Sequence, residues 1–281
     1  MRVYLIRHAE SEHNVARVYA GATDSSLTNH GMLQIDRLAR HFRYRGIQFS
    51  RVFSSPLQRA RLTAEPLCRS LNNMDTCVDC PLTIVGVLQE KNYGSLEGRS
   101  FYNSTKLCSE TSAFIPAETQ EMLVDRAKSF IHQHLLPLLN ESEGLSVNVA
   151  VVSHGIMLLS LWSSLTQLSG PLPGPTLEVP NLAWSNTGYL EFDVRFDTMQ
   201  LAALPVPTSN SPILPNQPFE LGYLPNDRIK IPSPVQPTLS IRVHAVNEKS
   251  HLDGLQRTKG GIGSAKHDAT QKKLDDYFRK S

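Results

Sequence analysis

Val147–Gly155 reads VNVAVVSHG. Five of its first six residues are apolar, and four of these are valines, whose branched side chains favour extended backbone. A short, mostly apolar run that ends in Ser-His-Gly predicts a strand covered on both faces, as in a parallel sheet. Gly155 lets the chain turn sharply, and the apolar stretch Ile156–Leu168 that follows predicts a helix. The same strand-then-helix pattern recurs outward from this point. Val3–Ile6, Arg51–Ser54, Thr83–Leu88 and Gly188–Val194 predict further strands. Gly31–Phe42, with Thr28 as N-cap, predicts a helix whose Met32, Ile35, Leu38, Ala39 and Phe42 share one face. Pro56 opens a second helix that continues over Ala60–Leu71, and a longer one covers Glu118–Leu139 with an interruption near Pro137. Strands alternating with helices imply an α/β fold, a layered α/β/α sandwich on a largely parallel central sheet.

The 281 residues are 40% hydrophobic and 19% charged, which is ordinary for a chain that buries a core. Prolines crowd between Pro171 and Pro237. Residues 1–204 are therefore expected to form the main domain, and 205–247 a proline-rich linker or wrapped extension with one added strand over Thr238–Val246. Residues 248–281, polar and glycine-containing, are expected to be a disordered basic tail. From Ile241 to Ser281 nine Lys and Arg stand against five Asp and Glu, a net of +4, within an overall charge of +2. That excess tolerates an acidic partner but does not call for direct nucleic-acid binding. No apolar stretch approaches the length of a membrane span, and the N-terminus reaches a charge at Arg7 too early for a signal peptide. Cys68, Cys77, Cys80 and Cys108 include a single C-x-x-C with no second pair, so reduced thiols and an intracellular setting, nucleus or cytoplasm, are expected.

Four groups of residues at predicted strand ends carry chemistry. Arg7-His8-Ala9-Glu10 follows the first strand, and Ser153-His154-Gly155 follows the valine-rich one. Ser54 to Arg61, SSPLQRAR, spans a strand-to-helix turn, where a helix N-terminus and the planar fork of Arg59 suit phosphate oxygens. Glu90 stands just past the third strand. Each feature alone has a bland reading: a satisfied structural histidine, a charged helix start, a solvated glutamate. Together they supply a nucleophile, cations and a proton donor at strand ends, where ligands bind in such sheets.

The chain resembles the histidine phosphatase (phosphoglycerate mutase-like) superfamily. The likeness runs through Arg7–Glu10, Asn14, Tyr19–Thr28, Gly31, Ser55-x-Leu57-x-Arg59-Ala60-x-x-Thr63-Ala64, Glu90 with Tyr93-Gly94-x-x-Glu97-Gly98, Ser153–Gly155 and Asn186-Thr187, covering residues 1 to about 195. The resemblance implies that neutral His8 attacks phosphorus and becomes phosphohistidine. It implies that Arg7, Arg59 and His154 bind the phosphate with Asn14, Thr23 and Gly155, and that Glu90 is general acid and base. No metal or other cofactor is implied. True mutases continue the tyrosine motif as Y-G-x-L-x-G-L-N-K, whereas this chain reads YGSLEGRSF from Tyr93 to Phe101 and lacks the lysine. Hydrolysis of a phosphorylated small molecule or phosphoprotein is thus expected over mutase activity.

Near the C-terminus, Gln271, Leu274, Tyr277 and Phe278 are similar to the PIP box that docks proteins on the replication sliding clamp, PCNA. A short helical turn would set the last three on one side as an apolar plug. An ordinary amphipathic C-terminal helix is the competing reading. Two function classes result: a phosphatase localised by its tail, or a binding protein that keeps the fold as a nuclear scaffold.

Overall fold

Alternation in Arg2–Arg7 (β1) sets up two faces, because successive strand side chains point oppositely. Val3 and Leu5 enter one apolar cluster, and Tyr4 and Ile6 enter another, all four at or below 1% exposure. A strand buried on both sides must be sandwiched, and it is. The computed structural model describes residues 1–69, 80–102, 114–142, 144–169, 184–197, 238–259, 261–268 and 270. After β1 come the short helix α1 (Glu12–Ala16), α2 (Asn29–Tyr44), β2 (Arg51–Ser54), α3 (Gln58–Ala64) and β3 (Leu82–Ile84). Then follow α4 (Gln120–Phe130), α5 (Leu136–Glu141), β4 (Asn148–Ser153), α6 (Gly155–Leu168), β5 (Tyr189–Phe196) and β6 (Leu239–Glu248). The sheet order is β3-β2-β4-β1-β5-β6. The first four strands run parallel, and β5 runs against both β1 and β6.

Helices α4 and α6 cover one face through Leu123, Ala127, Phe130, Met157 and Leu161, and α2 and α3 cover the other through Leu38, Phe42, Ala60 and Ala64. Burying each such Leu or Phe contributes about 1.5–3 kcal/mol. On the α2 side the Tyr4 ring meets Phe42 and Phe49 edge-on, with centroids 5.4 and 5.3 Å apart. The expected layered α/β fold is therefore present as a mixed, mostly parallel sheet.

Local differences from the sequence reading have identifiable causes. Helix α3 stops at Ala64 and tightens into a 3₁₀ turn over Glu65–Cys68, where Pro66 has no N–H to continue the α pattern. The apolar run after Pro81 is a strand only to Ile84, and Gly86–Leu88 then forms a 3₁₀ turn. Between α4 and α5 the chain widens into a π turn over Ile131–Leu135, in which Leu136 N–H donates to the Ile131 carbonyl. Pro137, in the first turn of α5, thereby keeps the helix line going instead of ending it.

The strand expected after the proline-rich stretch is present: Leu239–Glu248 forms the sheet's edge and buries Leu239 and Ile241 against α6's cluster, so the sheet extends past residue 204. The polar stretch beyond it, expected to be disordered, packs along α2. Asn29 N–H donates to the Ala265 carbonyl (3.0 Å), Asn29 Nδ2 to the Ile262 carbonyl (2.9 Å), and His267 N–H to the Leu27 carbonyl (2.9 Å). Hydrogen bonds to an open helix start hold this segment, so no apolar periodicity announces it. Among the described residues no helix is long and apolar enough to cross a membrane. The tail positions Gln271, Leu274, Tyr277 and Phe278 lie outside the described residues, as do Cys77 and Cys108.

Candidate active site

Strand register brings the two histidines together. Arg7 pairs with Ser153 across β1 and β4, so the next residue on each strand, His8 and His154, emerge side by side with ring centroids 5.0 Å apart. Neighbouring β2 ends in register at Ser54 opposite Val152, which delivers Ser55 and the start of α3 to the same carboxyl edge. The His8 ring is 3% exposed, and its Nδ1 lies 2.7 Å from the Ala9 carbonyl. A carbonyl only accepts, so Nδ1 carries the proton and the lone pair stands on Nε2. Burial, then the charges of Arg59 and Arg7, hold the His8 pKa well below the usual imidazole range, so the ring is neutral near pH 7. His154 is also buried and likewise lowered, by burial first and then by His8 and the two arginines. Its Nε2 is 2.9 Å from Ser55 Oγ, which itself accepts from Leu57 N–H. When Ser55 donates to Nε2, the proton of neutral His154 stands on Nδ1.

Arg7 and Arg59 are cations on which the Glu90 carboxylate acts only through space. Arg59 is 1% exposed, and its two terminal nitrogens donate to the carbonyls of Thr23 and Gly21, each at 2.8 Å. Gly21 has φ +51°, and a Cβ there would fall 2.1 Å from Glu97 Oε1, so the loop that holds Arg59 needs glycine. One terminal nitrogen of Arg7 donates to the Trp184 carbonyl. Neither arginine joins any salt bridge among the described residues. Buried charges are ordinarily paired, because leaving water costs several kcal/mol per ion. Around His8, the buried Nε of Arg7, Nε of Arg59, Nδ1 of His154 and Nε1 of Trp184 have no hydrogen-bond partner among the described residues. This grouping of charge and orphaned nitrogens is the chemistry of an anion seat.

Glu90 faces the seat from the other side. Its Oε1 accepts from Lys91 N–H (2.9 Å) and Met157 N–H (3.2 Å), and its Oε2 from Ile156 N–H (3.3 Å), at the N-terminus of α6. Burial nevertheless pushes its pKa up, against the pull of those amides and of the arginines. Arg126 fixes the loop beneath it by donating to the carbonyls of Val87 (2.8 Å) and Gln89 (2.7 Å) and pairing with Glu118 at 2.7 Å.

A cavity of about 380 Å³ is lined by Arg7, His8, Arg59 and Glu90 together with Asn14 and Gly155, whereas His154 is not among its lining residues. Asn14 is oriented by its Oδ1, which accepts from Ser11 (3.2 Å) and from Asn186 Nδ2 (3.1 Å). Thr23 is not part of the lining. Its hydroxyl and N–H both donate to Glu97 at the exposed rim, and only its carbonyl serves the site, through Arg59. Sequence reasoning missed Trp184, whose carbonyl holds Arg7, and Arg126, which no local pattern marks. It also missed Arg257, which pairs with Glu10 two residues after His8. The described residues hold no cluster of three or more His, Cys, Asp and Glu suited to a metal ion.

Comparison with known proteins agrees with this geometry. The sequence profile of the histidine phosphatase superfamily (branch 1) matches residues 3–201. A probable phosphatase of Schizosaccharomyces pombe is 32% identical over 98% of this chain and 79% of its own length. A broad-specificity phosphatase of Saccharomyces cerevisiae is 29% identical over 58% of this chain and 70% of its own. Among solved structures, mycobacterial hydrolase 1 superposes with a TM-score of 0.57 over 88% of this chain and 99% of its own, at 19% identity, and so shares the fold. The profile match, the phosphatase relatives and the paired histidines over an anion seat converge: this chain belongs to the histidine phosphatase superfamily and has phosphatase-type relatives.

Proposed function

We propose that the chain is a phosphatase that hydrolyses phosphomonoesters through a phosphohistidine on His8. The observation that carries this reading is the set of orphaned nitrogens on Arg7, Arg59 and His154 around a neutral His8. His8 Nε2 attacks phosphorus in line, and the phosphorus bond to the leaving oxygen breaks. Glu90, whose pKa is raised, gives its proton to that oxygen. Water then attacks the phosphorus–nitrogen bond while the Glu90 carboxylate takes its proton, and phosphate departs with His8 and Glu90 restored. Arg7, Arg59, His154 and Asn14 hold the non-bridging oxygens as negative charge redistributes. No step requires a cofactor. The test is release of phosphate from an aryl phosphate in EDTA by wild type, His8→Ala and Glu90→Ala. Turnover that survives EDTA and vanishes with His8→Ala supports the reading, and undiminished turnover in His8→Ala refutes it.

A second element concerns the tail. Gln271, Leu274, Tyr277 and Phe278 match the anchor spacing of a PIP box, and they follow directly on the segment packed along α2. The tail is read as docking the phosphatase onto the sliding clamp, which would bring it to the nucleus. Calorimetry of the full chain with PCNA tests this: binding lost in Tyr277→Ala/Phe278→Ala supports docking, and equal heats for both chains refute it.

A further inference from the structure

The anion seat accounts for the floor of the cavity, but its walls have a different chemistry. Tyr19, Tyr93 and Phe101 line it, together with Ile156 and Leu159 of α6 and Trp184. The first three form one aromatic group centred on Tyr19, with ring centroids 4.7 Å from Tyr93 and 4.6 Å from Phe101, inclined at 48° and 77°. Backbone pairing builds the group in. Tyr19 N–H donates to the Arg99 carbonyl (3.0 Å), Gly98 N–H to the Tyr19 carbonyl (2.8 Å), and Phe101 N–H to the Arg17 carbonyl (3.2 Å). Among the described lining residues the cations are Arg7 and Arg59, both at the floor, and the carboxylate is Glu90.

A bound phosphomonoester occupies the arginines with its phosphate and turns its leaving group toward these walls. A second carboxylate or phosphate on that leaving group would meet aromatic edges and, among the described lining residues, no cation beyond Arg7 and Arg59. Lys91 Nζ, 5.7 Å from the Tyr93 ring centroid, lies outside that lining. Leaving an anionic group unpaired in such a site is strongly disfavoured. A planar apolar group would instead gain edge and face contacts with the rings.

We propose that the cavity selects phosphomonoesters whose leaving group is aromatic and carries no second anion, with Phe101 as a specificity-determining residue. The proposal rests on the anion seat of the phosphatase reading but not on its chemistry, so it can be tested by binding alone. Phosphonates bind as phosphomonoesters do and are not hydrolysed. Calorimetry of the full chain would compare benzylphosphonate with methylphosphonate and 3-phosphonopropionate. The expected result is benzylphosphonate bound roughly 10-fold more tightly than methylphosphonate, the gain of about two ring contacts. The phosphonopropionate should bind no more tightly than methylphosphonate. Phe101 is 49% exposed, so its truncation leaves the core intact. In Phe101→Ala the benzyl-to-methyl ratio should fall several-fold towards one, and Phe101→Leu should give an intermediate ratio. Equal affinities in the wild type, a preference for the phosphonopropionate, or an unchanged ratio in Phe101→Ala would each overturn the proposal. If the ratio holds while no ester is hydrolysed, the phosphatase reading fails and the selectivity stands. If hydrolysis proceeds and the ratio is one, the selectivity alone fails.

Discussion

Replacing Arg59 with methionine separates binding an anion from holding the fold. The substitution keeps most of the aliphatic stem in a site that is 1% exposed and removes a cation that makes no salt bridge among the described residues. It also removes two hydrogen bonds, to Thr23 and Gly21, each worth about 1.5–3 kcal/mol as bonds from a charged donor. Against that loss stands the several kcal/mol released when a charge without a salt bridge need no longer be buried. The two nearly cancel, so the net stability change should lie within about 2 kcal/mol. Anion response should change far more. Phosphate at 100 times its Kd stabilises the wild type by about 2.7 kcal/mol, which raises Tm by roughly 5–10 °C in a chain of this size. Arg59→Met should lose most of that rise and lose about 100- to 1,000-fold in kcat, the scale for removing one oxyanion donor. Thermal unfolding with and without phosphate, beside steady-state turnover, measures all three. A variant destabilised by more than about 4 kcal/mol that still gains the full phosphate shift would show Arg59 to be a structural strut, contrary to the anion-seat assignment.

Three further outcomes follow from the same contacts. Glu90→Gln should cut kcat for an alkyl phosphate by about 100- to 10,000-fold but much less for 4-nitrophenyl phosphate, whose leaving oxygen needs no proton. In the wild type, kcat/KM for the alkyl ester should fall as pH rises through the elevated Glu90 pKa, and a pH profile that keeps this limb in Glu90→Gln would contradict the role. Arg257→Met strips the buried Glu10 carboxylate of its arginine and leaves it the Thr28 hydroxyl at 2.8 Å, so the denaturant midpoint should drop by the equivalent of about 1–3 kcal/mol. Stability should also fall as pH drops below 6.5. His8, His30, His41, His154 and His251 all have folded pKa values below the unfolded one, His251 at about 4, so the unfolded chain takes up protons the fold refuses. Glu90 acts in the opposite sense and offsets one of the five. Denaturation at pH 7.5, 6.5 and 5.5 that shows level or rising stability toward acid would refute this.

The site was legible where the strand ends carry it. Arg7 ends β1, and His8, Ser55, Arg59, Glu90 and His154 each follow a strand within six residues. Parallel register makes such positions neighbours without further information. What escaped the sequence depends on pairs far apart in the chain. The carbonyl of Trp184 holds Arg7, Arg257 pairs with Glu10, and His251 bonds Thr187 next to Asn186 at 3.0 Å. Nothing local in a polar stretch such as 249–268 distinguishes a segment fastened by hydrogen bonds from one left in water. Thr23 shows a related limit. A motif position shows that a residue matters but not which of its atoms does, and here the carbonyl serves the site while the hydroxyl serves Glu97.

The most direct test of the central claim is to quench the enzyme during turnover of a phosphomonoester labelled at phosphorus and to map the label. A phosphoryl group that is labile in acid, stable in alkali and located on His8 is the predicted result, with no label in His8→Asn. Turnover by the wild type with no protein-bound phosphoryl group, or label that persists in His8→Asn, would contradict it.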